Sequence, residues 1–518
     1  VSNAAGTVGG GIGAEGGFDL IGCDFDGGTA AISGGGAYLF GNPAGKANYN
    51  IVSDCEFRGC EALYGGGIFG QVADLRLLDV DLFACIAGDS FDLTGWGGGI
   101  GLLSSRLEMT GGLVSGCEGG LSSGAIDVEQ SVADVSGVSF SGCTGWQDAG
   151  AIYALGSTSS VSLTDCSFSD CTAAEGGGGA ILCEDLVPSL SLLRCSFDGN
   201  LAFDAGYCVS SPNVVTAEDC DFNAQVVFDA PVQHVYLSGV GTGSRFENCR
   251  FVDAEGLDLA CSFRAVDIGG LEFVDCDFVG NRTVDVGGGV DTEGTIYISA
   301  SLDDDSPITF SGCRFIDNRI CCAFEQNESG TGGAIRVDGR AAAVSNCIFE
   351  LNSAAFGGAV YGEFGISNSI VDGAASIGEG GAAWLAAGSS VVDSRISGSA
   401  DCNYPSISAQ GPILIEGCTI TGWFGLPFFC AEKPVDLALC RLPLGSTVQD
   451  TRFCDYTEAA IDGDWIDLGG NSFNPDECDA ADLNGDGVVN GADLALVLAA
   501  WGQPCLGCAA DVNQDGQV

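Results

Sequence analysis

The sequence is poor in positive charge. Lysine occurs only at Lys46 and Lys433, and Lys plus Arg total 17 against 70 Asp plus Glu, a formal net charge of −53. Phosphate binding needs clustered Lys and Arg, so nucleic acid is excluded as a partner. An anionic membrane surface is excluded for the same reason. A polyanionic glycan would also be repelled. Histidine is nearly absent as well. His234 is the one copy, and its strand-like surroundings, Gln233 to Leu237, mark it as a structural side chain. No Ser-His-Asp or Cys-His arrangement assembles around it. No apolar run is long enough to cross a bilayer, so membrane insertion is not expected. Val1 opens the sequence without a signal peptide, as expected of a chain whose leader has been removed or of a fragment.

Glycine and cysteine are abundant instead, with 83 Gly and 27 Cys against 12 Pro. An apolar fraction of 46% allows a large core and rules out a disordered polymer. So many Cys point to an oxidising, extracellular compartment. The odd count leaves at least one unpaired within the chain.

The Cys mark an internal repeat. Cys-x-Phe recurs at Cys23, Cys55, Cys166, Cys195, Cys220, Cys249, Cys276, Cys313 and Cys347. A Gly-rich stretch and a β-rich stretch follow most copies, as at Gly34, Gly65, Gly176, Gly332 and Gly357. Degenerate copies extend the marker position, Phe in most of them, through Phe25, Phe57, Leu82, Val114, Phe140, Phe168, Phe197, Phe222, Phe251, Phe278, Phe315, Phe349, Ile370, Ile396 and Ile420. The spacing is too irregular for a helical array and suits a β-solenoid, whose turns absorb insertions. The expected fold is all-β: a right-handed parallel β-helix of about 15 coils over residues 1–425, roughly 70 Å long at the strand spacing of about 4.8 Å. A small calcium-binding α segment is expected at its C-terminal end.

Two further columns follow from the register. Three residues after the marker stand Cys60, Cys85, Cys117, Cys143 and Cys171, then Asn200, Asn281, Asn318 and Asn352. Stacked Asn can pass amide hydrogen bonds from coil to coil. The stacked Cys lie within disulfide range, yet their regularity is that of reduced core thiols. Phe-x-x-Asn followed by Gly-Gly-Ala-Ile, as at Phe315 to Asn318 and Gly332 to Ile335, resembles the repeat of bacterial polymorphic outer-membrane proteins and related right-handed parallel β-helices. The resemblance implies fold and surface location. It does not imply an enzyme.

Residues 426–478, with Pro427, Pro434, Pro443, Cys430, Cys440 and Cys454, read as a loop-rich cap with at least one disulfide. A coil near Phe453 and a last one after Gly469 are expected there. Then Asp482, Asn484, Asp486, Val488, Asn490 and Asp493 fall at the 1, 3, 5, 7, 9 and 12 spacing of a calcium loop. Val488 would give its carbonyl and Gly487 the sharp turn. Asp493 then opens an apolar-faced helix through Trp501. Asp at the last position, followed by Leu494, resembles the dockerin type I repeat. Asp511, Asn513 and Asp515 begin a second, incomplete repeat within residues 479–518.

No catalytic cluster is legible. Asp303, Asp304 and Asp305 form the densest acid run and read as a solvated loop. Trp96, Trp146, Trp384 and Trp423 read as exposed rings able to stack on sugars, with turn packing the simpler role. The expected function is a structural or adhesive extracellular surface protein with calcium-dependent C-terminal docking, on another surface protein or on copies of itself in a fibre or layer. A glycan-binding or polysaccharide-degrading β-helix is the alternative.

Overall fold

The computed structural model describes residues 4–474 apart from 42–49, 89–93, 185–186, 188, 224–232, 240–242, 258–261, 286–292, 302–304, 323–329, 377–379, 401–404, 423–438 and 455–459. The chain divides into two units, residues 1–254 and 255–518. Each is an all-β parallel solenoid, and no helix occurs among the described residues.

One turn of the first unit illustrates the construction. Strands Ile126–Glu129, Val132–Ser136, Ser139–Ser141 and Thr144–Gly145 follow one another around the axis. Each pairs in parallel, residue for residue, with its counterpart in the next turn. Alternation does the rest: Ser139 and Ser141 point out while Phe140 points in and is fully buried. Nine marker rungs stack in the first unit, from Phe25 to Phe251, and eight in the second, from Phe278 to Phe473. Five of the intervals between successive rungs, 57–82, 114–140, 140–168, 197–222 and 349–371, contain no undescribed residue. The rungs at Phe453 and Phe473 lie in the segment expected to be a cap, and their rings stack 5.2 Å apart.

The marker column is the spine of the core. Rings of Phe140, Phe168, Phe197, Phe222 and Phe251 lie 4.7 to 5.0 Å apart and nearly parallel. Burying each ring contributes roughly 1.5–3 kcal/mol. One marker assignment needs correction. Phe349 pairs with Val371, and Ile370 pairs with Ile348. Ile370 and Val371 are both buried, so apolar character alone could not fix the parity of that strand.

The corners have their own chemistry. Three residues before the marker, every rung of both units turns through the left-handed region. Asp and Asn hold it most often, as at Asp54 (φ 51), Asp165 (φ 54) and Asn248 (φ 51), because their short polar side chains tolerate that conformation. The next corner residue seals the backbone of the preceding coil. Cys195 N donates to Cys220 Sγ at 3.4 Å and Ser369 N to Ser394 Oγ at 3.2 Å. Cys418 N likewise donates to Thr451 Oγ1 at 3.4 Å. Cys, Ser and Thr are interchangeable there. The Asn column behaves as its spacing predicts. Asn281 Nδ2 donates to Asn318 Oδ1 at 3.0 Å, and Asn318 Nδ2 to Asn352 Oδ1 at 3.1 Å. A serine ladder at a third corner was not read from the sequence: Ser105 N donates to Ser131 Oγ and Ser131 N to Ser159 Oγ.

The cysteine columns are free thiols. Cys60, Cys85, Cys117, Cys143 and Cys171 are all buried and unbridged, as are Cys195, Cys220, Cys249, Cys276, Cys313 and Cys347. Cys440 is also a buried free thiol, whereas Cys454 is not among the free thiols. Cys430 lies outside the described residues.

Candidate functional site

Alternation puts half of each strand outside. In the first unit, strands Ala37–Phe40, Ile68–Gln71, Ile100–Leu103, Ile126–Glu129 and Ile152–Leu155 stack in one column. Their inward residues, such as Leu39, Ile68, Ile100 and Ile126, are fully buried. Their second residues form an outer row: Tyr38, Phe69, Gly101, Asp127 and Tyr153. Their fourth residues form another: Phe40, Gln71, Leu103, Glu129 and Leu155. Neither row carries Lys, Arg or His in these rungs.

The early part of this face is aromatic. Tyr38 lies 6.1 Å from Phe69 and 6.4 Å from Phe40, in near-parallel planes. Tyr64 packs on Trp96 with centroids 4.7 Å apart. Tyr38 Oη donates to Gln71 Oε1 at 2.7 Å. Tyr38, Tyr64 and Trp96 are half-buried, whereas Phe69 is covered.

The later part is acidic. Asp127 is only 3% exposed, and Ser122, from the loop that precedes its strand, donates to its Oδ2. Burial pushes the Asp127 carboxyl up to about 7; the Ser122 hydrogen bond opposes this, and Glu129 and Asp148 add to it. Burial, then Glu184, raises Asp148 to about 6. Glu129 is raised by burial. Tyr153 is raised by burial first, then by Asp148, Glu184 and Asp127. Four carboxyl groups from adjoining turns therefore share one neighbourhood. Beside them Trp146 Nε1 donates to Glu118 Oε1 at 2.7 Å. Among the described residues no group of three or more His, Cys, Asp and Glu is arranged to hold a metal ion.

The corresponding outer row of the second unit runs Arg264, Tyr297, Arg336, Tyr361 and Trp384. Arg336 lies between the rings of Tyr297 and Tyr361, 5.4 and 5.6 Å from their centroids. Tyr361 stacks on Trp384 at 4.2 Å. Trp384 is therefore 8% exposed, not the open ring expected. Trp96 and Trp146 are half-buried, and Trp423 lies outside the described residues.

His234 is buried against Phe251, with its pKa lowered by burial to about 3. It is a neutral core side chain. Asp305 is exposed; Asp303 and Asp304 lie outside the described residues. So do all the expected calcium ligands: Asp482, Asn484, Asp486, Val488, Asn490 and Asp493, and Asp511, Asn513 and Asp515.

The comparisons bear on that last segment. The family model of the dockerin type I domain matches residues 480–518. No curated protein matches the chain, and no solved structure does. The chain is thus a parallel β-solenoid carrying a dockerin type I domain.

Proposed function

We propose that this chain is an extracellular surface protein held in place by docking of residues 480–518 onto a cohesin domain of another surface protein. The dockerin match carries the reading, because dockerin domains bind cohesin partners. Calcium is the cofactor. Asp482, Asn484, Asp486, Asn490 and Asp493 supply side-chain oxygens, and Val488 supplies a carbonyl, at the spacing a calcium loop requires. The solenoid is the displayed part, structural or adhesive, in keeping with its likeness to surface-protein repeats. No reaction is assigned to it; its single His is buried in the core.

The test is calorimetry of the full chain against a panel of cohesin modules, in calcium and in excess chelator. Binding in calcium that is lost in chelator, and lost in Asp486→Ala, supports the reading. Failure to bind any cohesin sinks the docking, and binding unchanged in chelator sinks the role of calcium. Product release from a polysaccharide panel would overturn the non-catalytic assignment.

A further inference from the structure

We propose that the outer face of the first unit binds an uncharged glycan along the row that runs from Tyr38, Tyr64 and Trp96 to Glu129 and Asp148. Four observations carry this.

The rings are not core. The inward side of the strands is filled by Leu39, Ile68 and Ile100; Tyr38 stands on the opposite side, and Tyr64 and Trp96, from the turns before the second and third of these strands, adjoin it through Phe69, all three half-exposed. Flat rings placed that way offer apolar faces with a polar rim, the surface on which a sugar ring stacks. Phe69 is the covered base of this shelf, 6.1 Å from both Tyr38 and Tyr64.

The ring of Phe69 covers the next rung. Gly101 follows Phe69 in the row. A Cβ there would meet the Phe69 ring at 2.8 Å, so the shelf admits no side chain at that rung. The row passes without obstruction from rings to acids.

The polar groups beyond are acceptors. Glu129 and Asp148 are half-exposed carboxyl groups, and ionised carboxylates accept but do not donate. Sugar hydroxyls donate. The closed Asp127 serves differently: its bond from Ser122 fixes the loop beside the row.

The charge selects the ligand. With no cation in either row and a net charge of −53, carboxylated or sulfated sugars are repelled. Three rung spacings of about 4.8 Å separate Tyr38 from Asp127, about 14 Å in all. That length fits a short oligosaccharide and exceeds a monosaccharide.

The probes are uncharged hexasaccharides of β-1,4-linked glucose, xylose and mannose, with polygalacturonate as the charged comparison. Each is titrated into the full chain in excess chelator, which separates this binding from any calcium-dependent docking. At least one neutral probe is expected to bind and polygalacturonate is not. Trp96→Ala and Tyr64→Ala are each expected to weaken binding at least tenfold, and Glu129→Gln severalfold. Phe203→Ala, at a ring 72% exposed outside the row, should leave it unchanged. Circular dichroism checks each fold. If Trp96→Ala is misfolded, Trp96→Phe replaces it, and its loss of the ligand-induced tryptophan fluorescence change reads the same contact. Absence of binding to all three neutral probes at millimolar concentration overturns the proposal. So does full affinity in folded Trp96→Ala and Tyr64→Ala, or equal affinity for polygalacturonate.

Discussion

Ser122 donates its hydroxyl to the buried carboxyl of Asp127, five residues further on and beneath the same loop. That bond only partly offsets an unfavourable setting for the charge. Burial and the charges of Glu129 and Asp148 raise its pKa from 3.8 to about 7. The folded chain therefore holds a proton that the unfolded chain releases near pH 4. For a carboxyl raised on folding, stability is greatest below the unfolded pKa. It falls as pH climbs through the interval from about 4 to 7. The full loss above pH 7 is about 4 kcal/mol at 1.36 kcal/mol per pH unit. Asp148, raised to about 6, acts in the same direction. Asp127→Asn keeps the shape and removes the charge. Its melting temperature should exceed that of the parent at pH 8 and approach it at pH 4. A parent whose stability is flat between those values would refute this assignment.

The asparagine column makes a second quantity measurable. Asn318 accepts at Oδ1 from Asn281 N and Asn281 Nδ2. It donates from Nδ2 to Phe278 O at 2.8 Å and to Asn352 Oδ1. Replacing Asn318 with Ala strands buried donors and acceptors on both neighbouring coils, each worth about 1–3 kcal/mol. A loss of about 3 kcal/mol in urea denaturation is expected. Asn318→Ser should recover part of it, since Ser serves the same sealing purpose at the corner held by Ser369 and Ser394.

Among the described residues eighteen cysteines carry unbridged thiols, and seventeen of them are buried, Cys23 being the exception. The thiolate is the reactive form. Burial pushes Cys183 and Cys418 up to about 12, which suppresses it. Hydrogen bonds from neighbouring thiols act the other way on Cys85 and Cys143, so it is closure from the reagent that protects the column: iodoacetamide at pH 8 should label Cys23 alone among these eighteen, read by peptide mass mapping. All eighteen should label once the chain is unfolded in denaturant. Native labelling of Cys143 or Cys195 would show that the columns open to solvent.

The solenoid was legible because its signal repeats. Cys-x-Phe fixes two inward positions per coil, and stacking forces the same positions to recur. Where the marker became aliphatic the parity blurred, although Ser369 carried the correct register as the polar substitute for Cys. The acidic neighbourhood left no such trace. Asp127, Asp148 and Glu184 sit in unrelated local contexts and meet only because successive coils superimpose them. The proposed calcium loop is the opposite case: its candidate ligands, Asp482 to Asp493, lie within a dozen residues, so the proposal rests on spacing alone.

The corner that follows the marker gives the last prediction. Two residues after the marker the chain again turns left-handed, and Gly280, Asp317 and Gly373 take that conformation with little strain. Leu351 holds it at φ 55. A side chain without a local hydrogen bond costs roughly 1–2 kcal/mol there, and Leu351 is 52% exposed, so little burial offsets it. Its methyl groups lie over Gly373, where a Cβ would come within 3.0 Å of Leu351 Cδ2. Leu351→Asn should relieve the strain at the loss of that light contact, for a net gain of about 1 kcal/mol in urea denaturation. Leu351→Gly relieves the same strain but adds freedom to the unfolded chain, a cost of about 0.5–1 kcal/mol. Asn should therefore stabilise more than Gly. The reverse order would mean that the contact over Gly373, and not the backbone, sets the energy of this corner.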